Sequence, residues 1–244
     1  FREIVEKGGV ILSHVGPENR LISEASLMLA PNEQGLSSLE RNLPDWLAYC
    51  DGAAVAKEFR GKGLQKQLLN AREAVAKEAN KEATAASVRQ RNLASIKSMI
   101  RGGYVMIADA PTYYGDKPTD ARVVMVKDFQ IGNPFAELDS DHEMLEGSLR
   151  GVIEPSSVQE KLATGADVIS VSVQQSDDVD ETYNKAVAIL LRNGYVGLSC
   201  NDIDIGDSDS ERADAMTFVK IDSLPTENAE AIRLRQKEIQ TIVD

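Results

Sequence analysis

Cysteine is almost absent from this 244-residue chain: Cys50 and Cys200 are the only two. Two cysteines cannot build a disulfide framework, so the sequence reads as a protein of the reducing cytoplasm. Histidine is equally scarce, and neither His14 nor His142 has a His/Cys cluster around it, so no metal site is expected. Long apolar runs are missing too. Residues 186–191 form one of the longest, far short of the roughly 18 residues that a membrane span needs. Nor is there a surplus of positive charge. With 27 Lys/Arg against 39 Asp/Glu, the net charge of −12 argues against nucleic-acid or anionic-membrane partners, which require a basic face. There is no start methionine and no signal-type segment, so Phe1 reads as a trimmed beginning.

What is present is 42% hydrophobic and 27% charged residues, ordinary for a chain with a real core. At roughly 100–200 residues per domain, the length fits one large domain or two small ones. The charge is unevenly shared. Residues 1–130 hold 18 basic and 16 acidic side chains, and residues 131–244 hold 9 and 23, so the acidity sits in the second half.

Alternating apolar stretches predict strands at 10–15 and 20–30, separated by the turn cluster 16–19. Residues 31–45 read as a loop with a helical turn. Residues 46–56 read as a strand broken at Asp51-Gly52, where a glycine inside a strand pattern signals a bulge or a close backbone approach. Leu64, Leu68, Val75 and Ala79 then mark one face of a helix. A strand at 83–88, a helix at 92–100 ended by Gly102-Gly103, and strands at 104–110 and 122–126 complete the first half.

The second half repeats the end of this order, with a strand at 166–173, a helix at 181–192 and strands at 195–200 and 215–221. Arg101-Gly102-Gly103-Tyr104-Val105 parallels Arg192-Asn193-Gly194-Tyr195-Val196, and Gly115-Asp116 and Gly206-Asp207 lie equally far past their tyrosines. The expectation is a duplicated half-domain. A charged helix follows at 226–244, with Thr226 as its cap. The acidic run 201–211 places its glycine out of step for a calcium loop and reads as a solvated loop.

The stretch with chemical content is Glu58-Phe59-Arg60-Gly61-Lys62-Gly63-Leu64, where a strand ends and a helix starts. Unpaired N–H groups at a helix start converge on one point, and the helix dipole favours negative charge there. Gly61 and Gly63 clear the approach for a phosphate, and Arg60 and Lys62 add positive charge. The loop lacks the Lys-Ser/Thr of a nucleotide-triphosphate loop and the third glycine of a dinucleotide fingerprint.

Taken with Val88-Arg89-Gln90-Arg91-Asn92-Leu93-Ala94-Ser95-Ile96 and Gly103-Tyr104, this order resembles the GNAT superfamily of acyl-CoA-dependent N-acetyltransferases over residues 8–128. The resemblance implies an α/β fold: a mixed, mostly antiparallel central sheet flanked by helices, extended here by a C-terminal half-domain repeating strand-helix-strand-strand. It divides the chain into a core at 1–130, a degenerate half-repeat at 131–225 and a helix at 226–244. Phe1 comes too late for the family's usual first strand and helices, so that segment is expected to be either missing or replaced by the second half. It further implies that Arg60, Gly61, Lys62, Gly63 and Leu64 hold the coenzyme A pyrophosphate. Main chain at Ala54, Val55 and Ala56 would run beside the pantetheine arm, with Asn92 and Ser95 near the arm and the thiol.

The acid–base half departs from the family. Met99 stands where many members carry a tyrosine acid, and Ser87 stands where the ribosomal-protein enzymes carry a glutamate base. Glu58 replaces the first Gln or Arg of the loop pattern. Asp51 at the bulge is the first candidate base, Glu24 the second, and Tyr104 a candidate acid alongside Tyr113 and Tyr114. Cys50 reads as an inert buried thiol.

The expected activity is acetyl transfer from acetyl-CoA, as cosubstrate, to a primary amine of a small molecule, peptide or protein. A cationic acceptor would suit the acidic second half, which could equally line the amine pocket or mediate a homodimer. Transfer of longer acyl chains is a variant of the same reading. The alternative is a non-catalytic acyl-CoA-binding or protein-interaction module on a degenerate GNAT fold.

Overall fold

The computed structural model describes residues 5–6, 8–35, 37–90, 92–110, 121–131, 152–173, 181–204 and 212–244, with backbone alone at 201–204 and 212–213. The first half runs β1 (Val10–Val15), β2 (Leu21–Leu27), a short α1 (Ser38–Arg41), β3 (Leu47–Tyr49), β4 (Ala53–Val55), α2 (Leu64–Glu78), β5 (Ala83–Arg89), α3 (Leu93–Arg101), β6 (Val105–Ala110) and β7 (Arg122–Asp128). The second half runs α4 (Val158–Ala163), β8 (Val168–Val173), α5 (Glu181–Arg192), β9 (Tyr195–Asp204), β10 (Arg212–Lys220) and α6 (Thr226–Val243).

The strands form a seven-stranded sheet, β3-β5-β7-β6-β9-β10-β8, and a three-stranded sheet, β1-β2-β4. Within the named strands, β3 with β5 is the parallel pair and the others are antiparallel, so the mixed, mostly antiparallel sheet is observed. Side chains alternate between the two faces of a strand, and the sequence exploits this. Val123 and Met125 of β7 point into a core beneath α2, α3 and α5, containing Leu69, Ile96, Met99, Tyr183 and Leu190. Val124 and Val126 point to the other face, against Leu39 of α1, Leu43 just after it, and Ile232, Ile239 and Val243 of α6. One sheet with helices on both faces is the result.

Several boundaries differ from those read in the sequence. The strand expected at 46–56 is two strands in two sheets: β3 pairs with β5, and β4 pairs with β2. Pro225 is the residue preceding α6, and Thr226 is its first helical residue, so Thr226 is not the cap. Proline fits at such a boundary because its fixed φ suits a helix start and the missing N–H has no helical partner there. Tyr113, Tyr114, Gly115-Asp116, His142 and Gly206-Asp207 lie outside the described residues.

Candidate active site

The break between β3 and β4 creates the site. At Cys50, Asp51 and Gly52 the chain leaves β5 and turns onto β2, with Gly52 in the left-handed region at φ 45°. Cys50 N–H still donates to the Ala85 carbonyl at 2.7 Å, the last bond holding the chain to β5. Beyond it the two strand edges diverge.

Hydrogen-bond alternation fixes what those edges present. Ala56 N–H donates to the Ile22 carbonyl and Ser26 N–H to the Gly52 carbonyl, while Ala53 and Val55 stand opposite Ala25 and Ser23. In an antiparallel ladder the intervening pair positions point their N–H and C=O groups away from the partner. Ala53 and Val55 therefore turn theirs into the opening. On the facing strand, the Ala85 carbonyl points toward β3, so Ser87 and Arg89, two and four residues on, point the same way. The cleft between the edges has a volume near 360 Å³; its walls include Asp51, Gly52, Ala53, Ser87, Arg89, Asn92, Ser95 and Met99. Two outward-facing edges can bind an extended ligand bearing amides as if it were a further strand.

The glycine loop lies at the far end of β4. Gly61 and Gly63 have φ of 75° and 76°, and Gly63 precedes the 15-residue α2 with no side chain capping it. A Cβ on either glycine would meet nothing within 4 Å, so the space above the N–H groups is open. Arg60 Nε donates to the Val55 carbonyl at 3.2 Å, joining the loop to β4. Lys62 lies 4.8 Å from the centre of the Phe59 ring. Glu58, a carboxylate beside an anion cradle, is neutralised by a salt bridge to Arg20. The β1–β2 turn that carries Arg20 gave no sequence sign of this pairing across 38 residues.

The other predicted residues divide. Asp51, Asn92 and Ser95 meet in the cleft. Asn92 caps α3 by accepting the Ser95 N–H at 3.2 Å, so a ligand contact from its side chain falls to the NH2 group. Glu24 stands opposite Ala54 in the β2–β4 ladder and is not among the residues lining the cleft. Tyr104 is 1% exposed beneath the site, its hydroxyl 2.7 Å from Thr84 Oγ1 and 3.8 Å from Cys50 Sγ. Burial pushes the Tyr104 phenol well above its ordinary value. Burial also raises the Cys50 thiol, opposed in part by the Arg72 charge, which fits an inert cysteine.

Sequence reading passed over Arg72. This α2 side chain is 3% exposed, lines the cleft and donates to the main-chain carbonyls of Asp51, at 3.1 Å, and Gly52. Its signal was present but faint: an arginine one turn past the inward Leu68, on the apolar face of the helix. Nearby, Tyr49 and Ser87 hydroxyls lie 2.8 Å apart, and Arg122 donates to the Ser87 carbonyl at 3.2 Å. Among the described residues no group of three or more His, Cys, Asp or Glu could hold a metal ion, and no helix is long and apolar enough to cross a membrane.

No curated protein matches the chain. Solved structures similar to it include nourseothricin acetyltransferase, at 15% identity and TM-score 0.41, over 50% of this chain and 66% of that one. Another is named as a streptothricin acetyltransferase from Bacillus anthracis str. Ames in complex with acetyl coenzyme A, at 20% identity and TM-score 0.41, over 50% and 62%. A GNAT family acetyltransferase from Elizabethkingia anophelis with acetyl-CoA bound aligns at 11% identity and TM-score 0.42, over 52% and 80%. The chain thus spans less than two thirds of the length of the first two. The sequence model of the acetyltransferase (GNAT) family matches residues 9–101, from β1 through α3, and so takes in the glycine loop and both edges of the cleft. On that match, residues 9–101 belong to the acetyltransferase (GNAT) family.

Proposed function

We propose that the cleft binds acetyl-CoA and that the chain transfers its acetyl group to a primary amine by direct attack. The observation that carries this reading is the alignment of three features along one path. They are a glycine loop opening α2, two facing strand edges with outward amides, and a bulge at Asp51-Gly52 where the edges meet.

In this reading the N–H groups at Gly61 to Leu64, with Arg60 and Lys62, hold the pyrophosphate at the start of α2. Main chain at Ala54, Val55 and Ala56, together with the outward-facing Ala53, runs beside the pantetheine arm, and Asn92 and Ser95 close on it from α3. The amine attacks the thioester carbonyl, a C–N bond forms, the C–S bond breaks and coenzyme A leaves as thiolate. Asp51, half-buried at the bulge, accepts the proton released by the amine, directly or through one water. Met99 offers no proton to the leaving thiolate, so that proton comes from solvent. Glu24 and Tyr104 take no direct part.

The described cleft is lined by three arginines, Arg72, Arg89 and Arg122, against one carboxylate, Asp51. Beside the cationic acceptor that the acidic second half suits, that wall would also suit one carrying an anionic group beside its amine. Buried free thiols at Cys50 and Cys200 support a cytoplasmic setting. We also read residues 131–225 as a degenerate half-repeat and 226–244 as its closing helix. In support, β8-α5-β9-β10 has the order and pairing of β5-α3-β6-β7, and Ile153 bridges Val171 in parallel as β3 does β5. The edge of β6 already pairs with β9 within the chain, so a homodimer would have to use another surface.

The test is a thiol-release assay with acetyl-CoA against amines with and without a carboxylate, run beside calorimetric titration of acetyl-CoA. Gly61→Glu is the control. Its Cβ meets no neighbour and its left-handed φ costs about 1–2 kcal/mol, so the fold survives while the new carboxylate occupies the anion cradle. Loss of acetyl-CoA binding with an unchanged circular dichroism spectrum is expected, and retained affinity would remove the assignment of the loop. Tight binding in the wild type without turnover on any amine would favour the non-catalytic module.

A further inference from the structure

We propose that Arg72 is a positioning residue for acyl transfer, aiming the Ala53 N–H at the carbonyl that reacts. This rests on the reading of the cleft as an acetyl-CoA site.

The argument begins with peptide geometry. A trans peptide is planar, and its C=O and the following N–H point in opposite directions. Whatever grips the Gly52 carbonyl therefore sets the direction of the Ala53 N–H. The Gly52 carbonyl accepts from the Arg72 guanidinium and, at 3.4 Å, from Ser26 N–H. The preceding carbonyl, of Asp51, accepts from the same guanidinium at 3.1 Å, from the Ser26 hydroxyl at 2.5 Å and from Ser26 N–H at 3.3 Å. Both bulge peptides are thus fixed from behind, by a helix on one side and a strand on the other. Their N–H groups turn toward the cleft.

Ordinary sheet pairing cannot supply this orientation, because at this point the chain has left β5 and has only begun to pair with β2. Gly52 at φ 45° has the most freedom of any residue in the segment. Without a brace the two peptides could rotate, and an N–H group that wanders does not stabilise a developing negative charge, since such stabilisation depends on donors already in place. Arg72 supplies the brace from the most rigid neighbouring element, the middle of the 15-residue α2. The same helix begins at the glycine loop, so one element carries both the proposed phosphate cradle and the clamp on the proposed reacting end.

A bystander role would be to hold α2 against the bulge. That role predicts lost stability with unchanged turnover per folded molecule, and the two are separable. Arg72→Gln, Arg72→Lys and Ser26→Ala are compared with the wild type after the folded fraction has been normalised by thermal melting. Arg72→Gln is expected to lower kcat about 10–100-fold, the range for a misaimed oxyanion donor, with a smaller change in KM for acetyl-CoA. Arg72→Lys, which keeps a cation but not the fork, recovers part of the loss. Ser26→Ala, acting on the Asp51 carbonyl alone, gives a smaller fall.

A readout independent of turnover is the infrared carbonyl stretch of bound acetyl-CoA. It is expected below the free value in the wild type and to move back toward it in Arg72→Gln. A folded Arg72→Gln protein with wild-type kcat, or an unshifted stretch in the wild type, overturns the proposal. If the wild type acetylates no amine but binds acetyl-CoA with a lowered stretch that Arg72→Gln reverses, the transfer reading fails and the aiming by Arg72 stands. If the wild type does not bind acetyl-CoA, both fall.

Discussion

Tyr104 shows how a residue that looks catalytic in a sequence is resolved by its hydroxyl partners. It follows a glycine pair at the end of a helix, where a phenol could be imagined reaching a thiolate. In the fold its hydroxyl meets Thr84, and Tyr195, its counterpart in the second half, donates likewise to the Ala166 carbonyl. A tyrosine tied to the neighbouring segment in both halves is a packing feature. Tyr104→Phe should therefore cost about 1–2 kcal/mol, because Thr84 loses a buried partner, while kcat and its pH profile stay as in the wild type. Burial raises the Tyr104 pKa, so the phenol stays protonated through the neutral range and contributes no titration there. A kcat that falls with the substitution would return Tyr104 to the list of acids. Asp51 and the glycine loop were legible in the sequence because chain-local rules mark them: a glycine inside a strand pattern, and glycines before a helix. Arg72 and Arg20 were not, since their meaning depends on carbonyls and a carboxylate 20 to 38 residues away.

At the scale of elements, the periodic segments were readable and their partners were not. Alternation in β7 and the spacing of Leu64 and Leu68 declare a strand and a helix, yet nothing local says that residues 47–55 split between two sheets. The C-terminal helix makes the same point. Its sequence is dominated by charge, with modest apolar marking, and α6 nevertheless packs on the sheet through Ile232 and Ile239. Arg235 fastens it, bonding Asp128 at 3.0 Å and Glu82 at 2.5 Å, with its guanidinium 3.8 Å from the centre of the Trp46 ring. Burial works against the charge, but the bonds to Glu82 and Asp128 hold the Arg235 pKa above its ordinary value. Asp128 is 9% exposed and would be left as a nearly buried, uncompensated carboxylate. Arg235→Ala is expected to cost about 2–3 kcal/mol, less than a fully buried pair because Glu82 keeps contact with water. Hydrogen exchange should then report early opening of α6, while affinity at the proposed acetyl-CoA cleft, on the other face of the sheet, is unchanged. Equal loss of protection throughout the sheet would mean that α6 is part of the global core.

Across the whole molecule, the two halves meet through very little backbone pairing: Met106 opposite Gly197 is the register between β6 and β9. The halves are joined mainly by side chains that cross the seam. Lys97 of α3 reaches Asp214 of β10 at 2.5 Å, and Arg192 of α5 bonds Asp109 of β6 at 3.0 Å. Each half thus contributes a helix cation to the other half's strands. This reciprocity makes a single cooperative unit the expected behaviour, despite a sequence that divides so sharply by charge. Gly197 is the position at which to test it. A Cβ there would lie 3.1 Å from Met106 Cβ and 3.3 Å from the Phe218 ring, neither of which is a flexible end that can swing aside. Gly197→Val should therefore force the seam apart, at about 1–3 kcal/mol for an overpacked core. In calorimetry the wild type should melt in one transition, and the variant in one transition at lower temperature, because the strain is shared by both halves. A variant that melts in two steps, with Trp46 fluorescence in the first half keeping its wild-type midpoint, would show that the halves fold independently and that the second half stabilises the cleft only by proximity.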